Sequence, residues 1–208
     1  MNDWVVYGIG FLAQALFSAR FIVQWFLSEK KKRIVTPSLF WYFGLGAALL
    51  LFIYGYLRSD FAIMLGQVIT YFIYIRNLQL QGEWQKRSKL FQWLAFIIPV
   101  VSWSLIMLEG STSWNELFSS EEIPLWLLIV GIVSQILFTL RFVYQWIYSE
   151  NRKDSHLPLG FWLMSVLGSS LILFYAIFRK DPVLIFAHSF GLILYLRNIY
   201  ILKNQKHA

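Results

Sequence analysis

The chain repeats itself at a fixed offset of 121 residues, and the element repeated is a cation set into an apolar run. Arg20, Phe21, Gln24, Trp25, Ser28 and Glu29 return as Arg141, Phe142, Gln145, Trp146, Ser149 and Glu150. The register holds without a gap from Gly10/Gly131 through Pro37/Pro158, Phe40/Phe161, Trp41/Trp162, Tyr54/Tyr175, Arg58/Arg179 and Asp60/Asp181. It continues to Tyr74/Tyr195, Arg76/Arg197 and Asn77/Asn198. Gapless self-similarity of this kind marks a duplicated structural unit, so the fold must place two copies of one unit.

What the unit is made of follows from its polarity. Apolar residues are 58% of the 208 and aromatics 19%, with mean hydropathy +0.58, far from the mix of soluble domains. The expectation is an all-α integral membrane protein with seven transmembrane helices of roughly 20 residues each. That count leaves no room for a soluble catalytic domain. Met1-Asn2-Asp3-Trp4 lacks the basic start of a cleavable signal peptide, so the first apolar stretch is expected to be retained. With no cysteine, disulfides, thiolate metal sites and cysteine nucleophiles are excluded.

In order, the expected spans are Trp4 to Leu27, Pro37 to the residue before Arg58, Phe61 to Leu78, and Phe91 to Leu108. After an acidic loop carrying Glu109, Glu116, Glu121 and Glu122 come Pro124 to Tyr148, Pro158 to Phe178 and Pro182 to Leu202. The fourth span has no counterpart in the repeat. The plan is therefore 3+1+3: a first three-helix repeat over 4–80, a linker with its own span over 81–122, and a second repeat over 123–202. Because one unpaired span separates two odd-numbered units, the repeats are parallel, related by an axis along the membrane normal, with a shared site expected between them.

The net charge of +7 would point to nucleic acid in a soluble protein. Here the basic residues gather at span ends, so no nucleic-acid partner is expected. Thirteen Lys and Arg fall on the side of the loops after spans 1, 3 and 5 and the C-terminal tail. Three (Arg58, Arg179, Lys180) fall on the other. The positive-inside rule then places the C-terminus in the cytoplasm and the N-terminus outside.

On a helical projection the positions shared by spans 1 and 5 (Gly10, Gln14, Phe17, Arg20, Phe21, Gln24, Trp25, Ser28) occupy one arc. Leu12, Ala15, Ala19, Ile22, Val23 and Phe26 lie mostly elsewhere. Lipid asks only for apolarity, whereas a packed or ligand-facing surface asks for particular shapes, so the shared face is expected to point inward. Arg20 sits eight residues before Ser28, about 12 Å below the span end. A cation at such depth costs about 3 kcal/mol or more. Two readings are open. In one, Arg20 and Arg141 face each other across the two-fold axis as an anion site, with Gln24 and Gln145 one turn away. In the other, each snorkels or pairs with Glu29 or Glu150 as a structural clamp.

Gln67, Thr70, Tyr71, Tyr74 and Asn77 form a polar stripe on span 3, answered by His188, Tyr195 and Asn198 on span 7. Such a stripe lines a cavity or bonds helices together. His188, replacing Gln67, is a packing residue or a proton relay. Arg76 and Arg197 cap helix ends or add cations at the mouth of a site. Asp60 and Asp181 cap spans 3 and 7 or, with Arg58 and Arg179, form an outer gate. Pro37 and Pro158 read as helix starts, and the Trp and Tyr near span ends, Trp25, Trp41, Trp146 and Trp162 among them, as interfacial belts. No phosphate loop, metal motif or nucleophile elbow is present. The expectation is a non-enzyme with no cofactor and no metal.

The pattern Arg-Phe-x-x-Gln-Trp-x-x-Ser-Glu, then Pro-x-x-Phe-Trp and finally Tyr-x-Arg-Asn, resembles the lipid-A-disaccharide synthase N-terminal-like domain, a three-helix membrane module, here in two copies. The resemblance implies a place among PQ-loop proteins, similar to SWEET and SemiSWEET sugar transporters. The Pro-Gln dipeptide of that group is missing, since Gln24 is followed by Trp25 and no proline precedes it. It further implies an envelope-glycolipid role in a bacterial inner membrane, without synthase activity. The expected function is a transporter or flippase for a lipid-linked, phosphate-bearing sugar. Its expected binding residues are Arg20, Gln24, Arg141, Gln145, Tyr74, Asn77, Tyr195, Asn198, Gln67, His188, Arg76 and Arg197. The expected partners are a membrane lipid or lipid-linked sugar and a membrane glycosyltransferase. A SWEET-like carrier of free sugar and a non-transporting subunit of a glycosyltransferase are the alternatives.

Overall fold

A computed structural model describes residues 3–58, 61–109 and 124–205. They form seven helices: α1 (Asp3–Lys31), α2 (Ser38–Leu57), α3 (Phe61–Leu80), α4 (Lys89–Glu109), α5 (Leu125–Arg152), α6 (Leu159–Arg179) and α7 (Pro182–Gln205). No strand occurs among the described residues. Among the described residues, the helices long and apolar enough to cross a membrane are α1, α2, α5, α6 and α7. Seven spans were expected. α3 and α4 occupy the places of the third and fourth of them, and the stretch Lys89–Ser102 of α4 is itself an apolar helix.

Helix boundaries are set by the same devices in both halves. Pro37 and Pro158 stand one residue before α2 and α6 in extended conformation, where the missing N–H costs nothing. α1 and α5 run about a turn past their expected ends at Leu27 and Tyr148. They stop where Lys32 and Lys153, equivalent positions, turn left-handed at φ 50° and 54°. Asp181 caps α7 by accepting the Leu184 N–H at 3.1 Å. Its counterpart Asp60 lies outside the described residues, as do Glu116, Glu121 and Glu122 of the acidic loop and Lys206 of the tail.

Six helices close a ring. α2 packs between α1 and α3, α6 between α5 and α7, and the two triplets meet along two seams, α3 on α5 and α1 on α7. α4 sits outside the ring against α3, where the Tyr71 hydroxyl donates to the Ala95 carbonyl at 2.9 Å and Phe72 stacks on Phe96. The shared face of α1 does point into the ring: Gly10, Gln14, Arg20, Phe21, Gln24 and Ser28 are buried, while Leu12, Ala15, Ile22 and Phe26 are exposed. Two of the tryptophans expected in belts are not there. Trp41 and Trp162 are fully buried beside Phe40 and Phe161, on the faces α2 and α6 turn into the ring.

Candidate functional site between the two triplets

Halfway along the ring lies a girdle built from four repeat-related pairs: Phe21/Phe142, Phe40/Phe161, Trp41/Trp162 and Tyr74/Tyr195, each buried. Arg20 and Arg141 are embedded in it at 2% and 1% exposure. Burial of that degree rules out snorkelling. The clamp does not form either, because Glu29 and Glu150 are engaged by other residues, and no ion pair joins either guanidinium to a carboxylate among the described residues. What surrounds the charges is aromatic. The Arg20 guanidinium lies 4.5 Å from the Phe17 ring centre and 4.9 Å from that of Phe40. That of Arg141 lies 3.5 Å from Phe138 and 5.3 Å from Phe161. Ring quadrupoles offset part of the lost hydration, about 0.5–2 kcal/mol per contact.

Each guanidinium is also anchored by one arm. Arg20 Nη1 donates to the Tyr74 hydroxyl at 2.9 Å, and Arg141 Nη1 to the Ser165 hydroxyl at 2.9 Å. The Nε–H of each is buried without an acceptor. The halves reach this end by different chemistry, since Ser165 stands where the first repeat has Gly44. A Cβ at Gly44 would lie 2.9 Å from the Tyr74 ring and 3.1 Å from Arg20 Nη1, so Tyr74 fills in one half the space the serine fills in the other.

The two cations share neighbours. Arg20 is 5.2 Å from the Phe142 ring centre and Arg141 is 4.7 Å from it, so their carbons are separated by no more than the sum, 9.9 Å. At an effective dielectric of about 20, like charges at that distance repel by on the order of 2 kcal/mol. Both guanidiniums line a cavity of about 100 Å³ inside the ring. Its walls continue through Gln14, Ser18, Gln67, Thr70, Gln135, Thr139 and His188 to Tyr54, Ile63 and Leu184, near the ends of α2, α3 and α7 away from the Lys/Arg-rich loops. The arginines thus form the floor of a chamber whose walls carry amides and hydroxyls. His188 Nδ1 and the Ser169 hydroxyl are 2.8 Å apart.

Below the floor the ring is shut by two tiers of contacts that cross the seams reciprocally. In the first, the Gln145 and Asn77 amides exchange hydrogen bonds at 2.8 and 3.1 Å, and Ser155 donates to the same Asn77 oxygen at 2.8 Å. At the equivalent place on the other seam, Gln24 donates to Asn198 at 2.9 Å, and the Gln24 oxygen has no partner. In the second tier Arg76 holds Glu150 through two bonds of 2.8 and 2.7 Å, and Arg197 holds Glu29.

Of the expected binding residues, Arg20, Arg141, Tyr74, Tyr195, Gln67 and His188 line the cavity. Gln24, Gln145, Asn77, Asn198, Arg76 and Arg197 do not; they tie the triplets together beneath it. The helix-capping role expected of Arg76 and Arg197 gives way to these cross-seam ion pairs. Sequence reasoning passed over Gln14/Gln135 and Ser18/Thr139 as wall residues. The signal was available for the first pair, which is identical in both copies and one turn from Phe17/Phe138. Ser165 and Ser169 carried no signal, because their counterparts are Gly44 and Ala48.

Comparison with known proteins bears on both copies. The family profile of the Lipid A Biosynthesis N-terminal domain matches residues 9–79 and again 130–200. The Lipid-A-disaccharide synthase of Chlamydia pneumoniae is 30% identical over 99% of this chain and 35% of its own length. That of Chlamydia felis (strain Fe/C-56) is 31% identical over 95% of this chain and 33% of its own length. The chain thus spans about a third of the length of the curated relatives it matches. No solved structure matches it. The two matched stretches coincide with the two triplets of the ring, and the chain belongs to the Lipid A Biosynthesis N-terminal domain family, carrying that domain twice.

Proposed function

We propose that this chain moves a lipid-linked, phosphate-bearing sugar, a polyprenyl-phosphate sugar or a lipid A-type intermediate, between membrane leaflets during envelope glycolipid synthesis. The observation that carries this reading is the pair of buried guanidiniums, unpaired with any described carboxylate, at the floor of a polar-walled cavity. Guanidinium donors suit phosphate oxygens. In this reading Arg20 and Arg141 hold the phosphate, while Gln14, Gln67, Gln135 and His188 meet sugar hydroxyls and the tail stays in lipid.

The Lys/Arg-rich end faces the cytoplasm under the positive-inside rule, with the N-terminus outside. The cross-seam tiers formed by Gln24, Gln145, Asn77, Asn198, Arg76 and Arg197 then serve as the closed inner gate of an outward-facing state. Rocking of one triplet against the other opens the opposite side, in the manner of parallel-repeat carriers such as the SWEET and PQ-loop proteins. The chain itself catalyses no reaction in this account. Reconstituted into liposomes with a fluorescent polyprenyl-phosphate sugar, the protein is expected to expose probe to a membrane-impermeant quencher from both leaflets. Arg20→Ala with Arg141→Ala is expected to abolish exchange. Exchange that survives the double substitution sinks the proposal.

A second reading draws on the length of the relatives, whose remaining two thirds lie beyond the match. Here the ring presents its lipid to a glycosyltransferase and moves nothing. Arginine-dependent binding without exchange in the same liposomes selects it.

A further inference from the structure

We infer that the two arginines grip one phosphoryl group between them, and hence that the ligand carries a monophosphate rather than a diphosphate linkage. The inference rests on the phosphate-binding reading above and adds stoichiometry and substrate class to it.

The limit on separation favours the shared group. A bidentate guanidinium–phosphate contact places the guanidinium carbon about 4 Å from phosphorus. Two such contacts on one phosphorus set the carbons about 8 Å apart, inside the 9.9 Å ceiling imposed by Phe142. A diphosphate held with one phosphorus per arginine adds about 3 Å and spans roughly 11 Å when extended, so it fits under that ceiling only if bent, whereas a single phosphoryl group fits without distortion. The aromatic girdle resists spreading, since Phe21 is wedged against Phe40 and Tyr195, and Phe142 against Tyr74 and Phe161, with centroid separations of 5.2 Å throughout.

The state of the guanidiniums agrees. One arm of each is tied to a hydroxyl, and the Nε–H of each lacks an acceptor. Nε and Nη2 make up the edge of a guanidinium that meets two oxygens of a phosphate at once. A single phosphoryl group seated between the two arginines offsets a repulsion that nothing else described on the cavity wall neutralises, and it gains the sealed Nε–H donors when the side chains turn toward it.

The test is calorimetric titration of the purified full chain in detergent with farnesyl phosphate, farnesyl diphosphate, glucose 1-phosphate and glucose. One equivalent of farnesyl phosphate is expected per chain, with farnesyl diphosphate binding no more tightly and glucose not at all. Arg20→Ala and Arg141→Ala are each expected to weaken binding at least about 100-fold, and the double variant no further than about threefold beyond either, because the two act on one group. Should an alanine variant fail to purify as a folded protein, Arg20→Lys and Arg141→Lys keep the charge and lose the fork, with an expected loss of about tenfold. Two bound equivalents, independent effects that multiply, or a diphosphate bound more than tenfold tighter overturns the shared grip while leaving a phosphate site. Absence of arginine-dependent binding to every phosphate overturns the transport reading as well. Glucose 1-phosphate bound more tightly than farnesyl phosphate removes the lipid from the substrate and leaves the shared phosphoryl group standing.

Discussion

The two triplets match closely where they touch each other and diverge in part where they face the cavity. Apart from Ser155, which stands where the first repeat has Ile34, the residues of the cross-seam tiers have identical partners 121 positions away: Gln24/Gln145, Asn77/Asn198, Glu29/Glu150 and Arg76/Arg197. The cavity wall has diverged, with Gln67 facing His188, Thr70 facing Gly191 and Ser18 facing Thr139. Each seam joins the same two kinds of surface, and a residue there is bound to the particular partner it bonds across it. A wall has no such constraint, because a ligand without two-fold symmetry is met better by unlike sides. The arginines belong to both categories: their positions are identical, but Tyr74 anchors one and Ser165 the other.

Identity of residues does not make the seams equal in strength, and breaking one residue on each exposes the difference. On the α3/α5 seam Asn77 exchanges two bonds with Gln145 and accepts a third from Ser155; on the α1/α7 seam Asn198 accepts a single bond from Gln24. Asn77→Leu leaves two buried polar groups short of partners and is expected to cost about 3 kcal/mol. Asn198→Leu strands less and is expected to cost about 1 kcal/mol. Thermal melts of both variants in the same micelle check the order. Equal shifts in Tm contradict the claim that α1/α7 is the weaker seam.

Much of this was legible beforehand, and the reason is physical. The repeat register identified the inward face of α1, because an offset-conserved residue must satisfy a packed environment in both copies. The depth of Arg20 followed from the rise of a helix. What the register did not distinguish is packing against a cavity from packing against a second helix. Gln24 and Arg20 are four residues apart on one face, yet Arg20 lines the chamber and Gln24 spans the seam, because the ring narrows between them. Gln67 and His188, though unlike, stand out as strongly polar groups in apolar spans, whereas a serine opposite a glycine carries neither identity nor strong polarity. Ser165 was missed for that reason, although its hydroxyl accepts from Arg141 Nη1 at 2.9 Å.

That pair of anchors gives an intermediate effect. Gly44→Ser drives a Cβ to 2.9 Å from a Tyr74 ring already held by Trp41 and Phe142, an overpacking expected to cost about 2 kcal/mol. Ser165→Ala removes the acceptor from Arg141 Nη1 without crowding anything, again about 2 kcal/mol because the donor is charged. The informative variant is Gly44→Ser with Tyr74→Phe. If the halves are alternative solutions to one problem, the serine takes over the Arg20 bond and recovers part of the stability lost when the tyrosine hydroxyl goes. Denaturation midpoints for the single and double variants form a cycle, and strict additivity in that cycle denies that the two anchors are interchangeable.

The smallest effect is expected at the outer tier, and its size is what makes it useful. Arg76 and Glu150 are 39% and 29% exposed, and pairs so open to solvent contribute about 0.2–1 kcal/mol. Arg76→Glu is therefore expected to lower stability by no more than about 1 kcal/mol. The effect is partly repaired by Glu150→Arg and shrinks as salt screens the charges. A contact this weak does little to hold a fold, but it can bias two arrangements of the same seam. In the proposed transport cycle, opening the Lys/Arg-rich end parts Arg76 from Glu150 and Arg197 from Glu29, so the charge reversal is expected to speed exchange in liposomes and the double swap to restore it. An unchanged exchange rate in the single reversal, with the small loss of stability intact, separates the tier from the gate and makes it an ordinary surface pair.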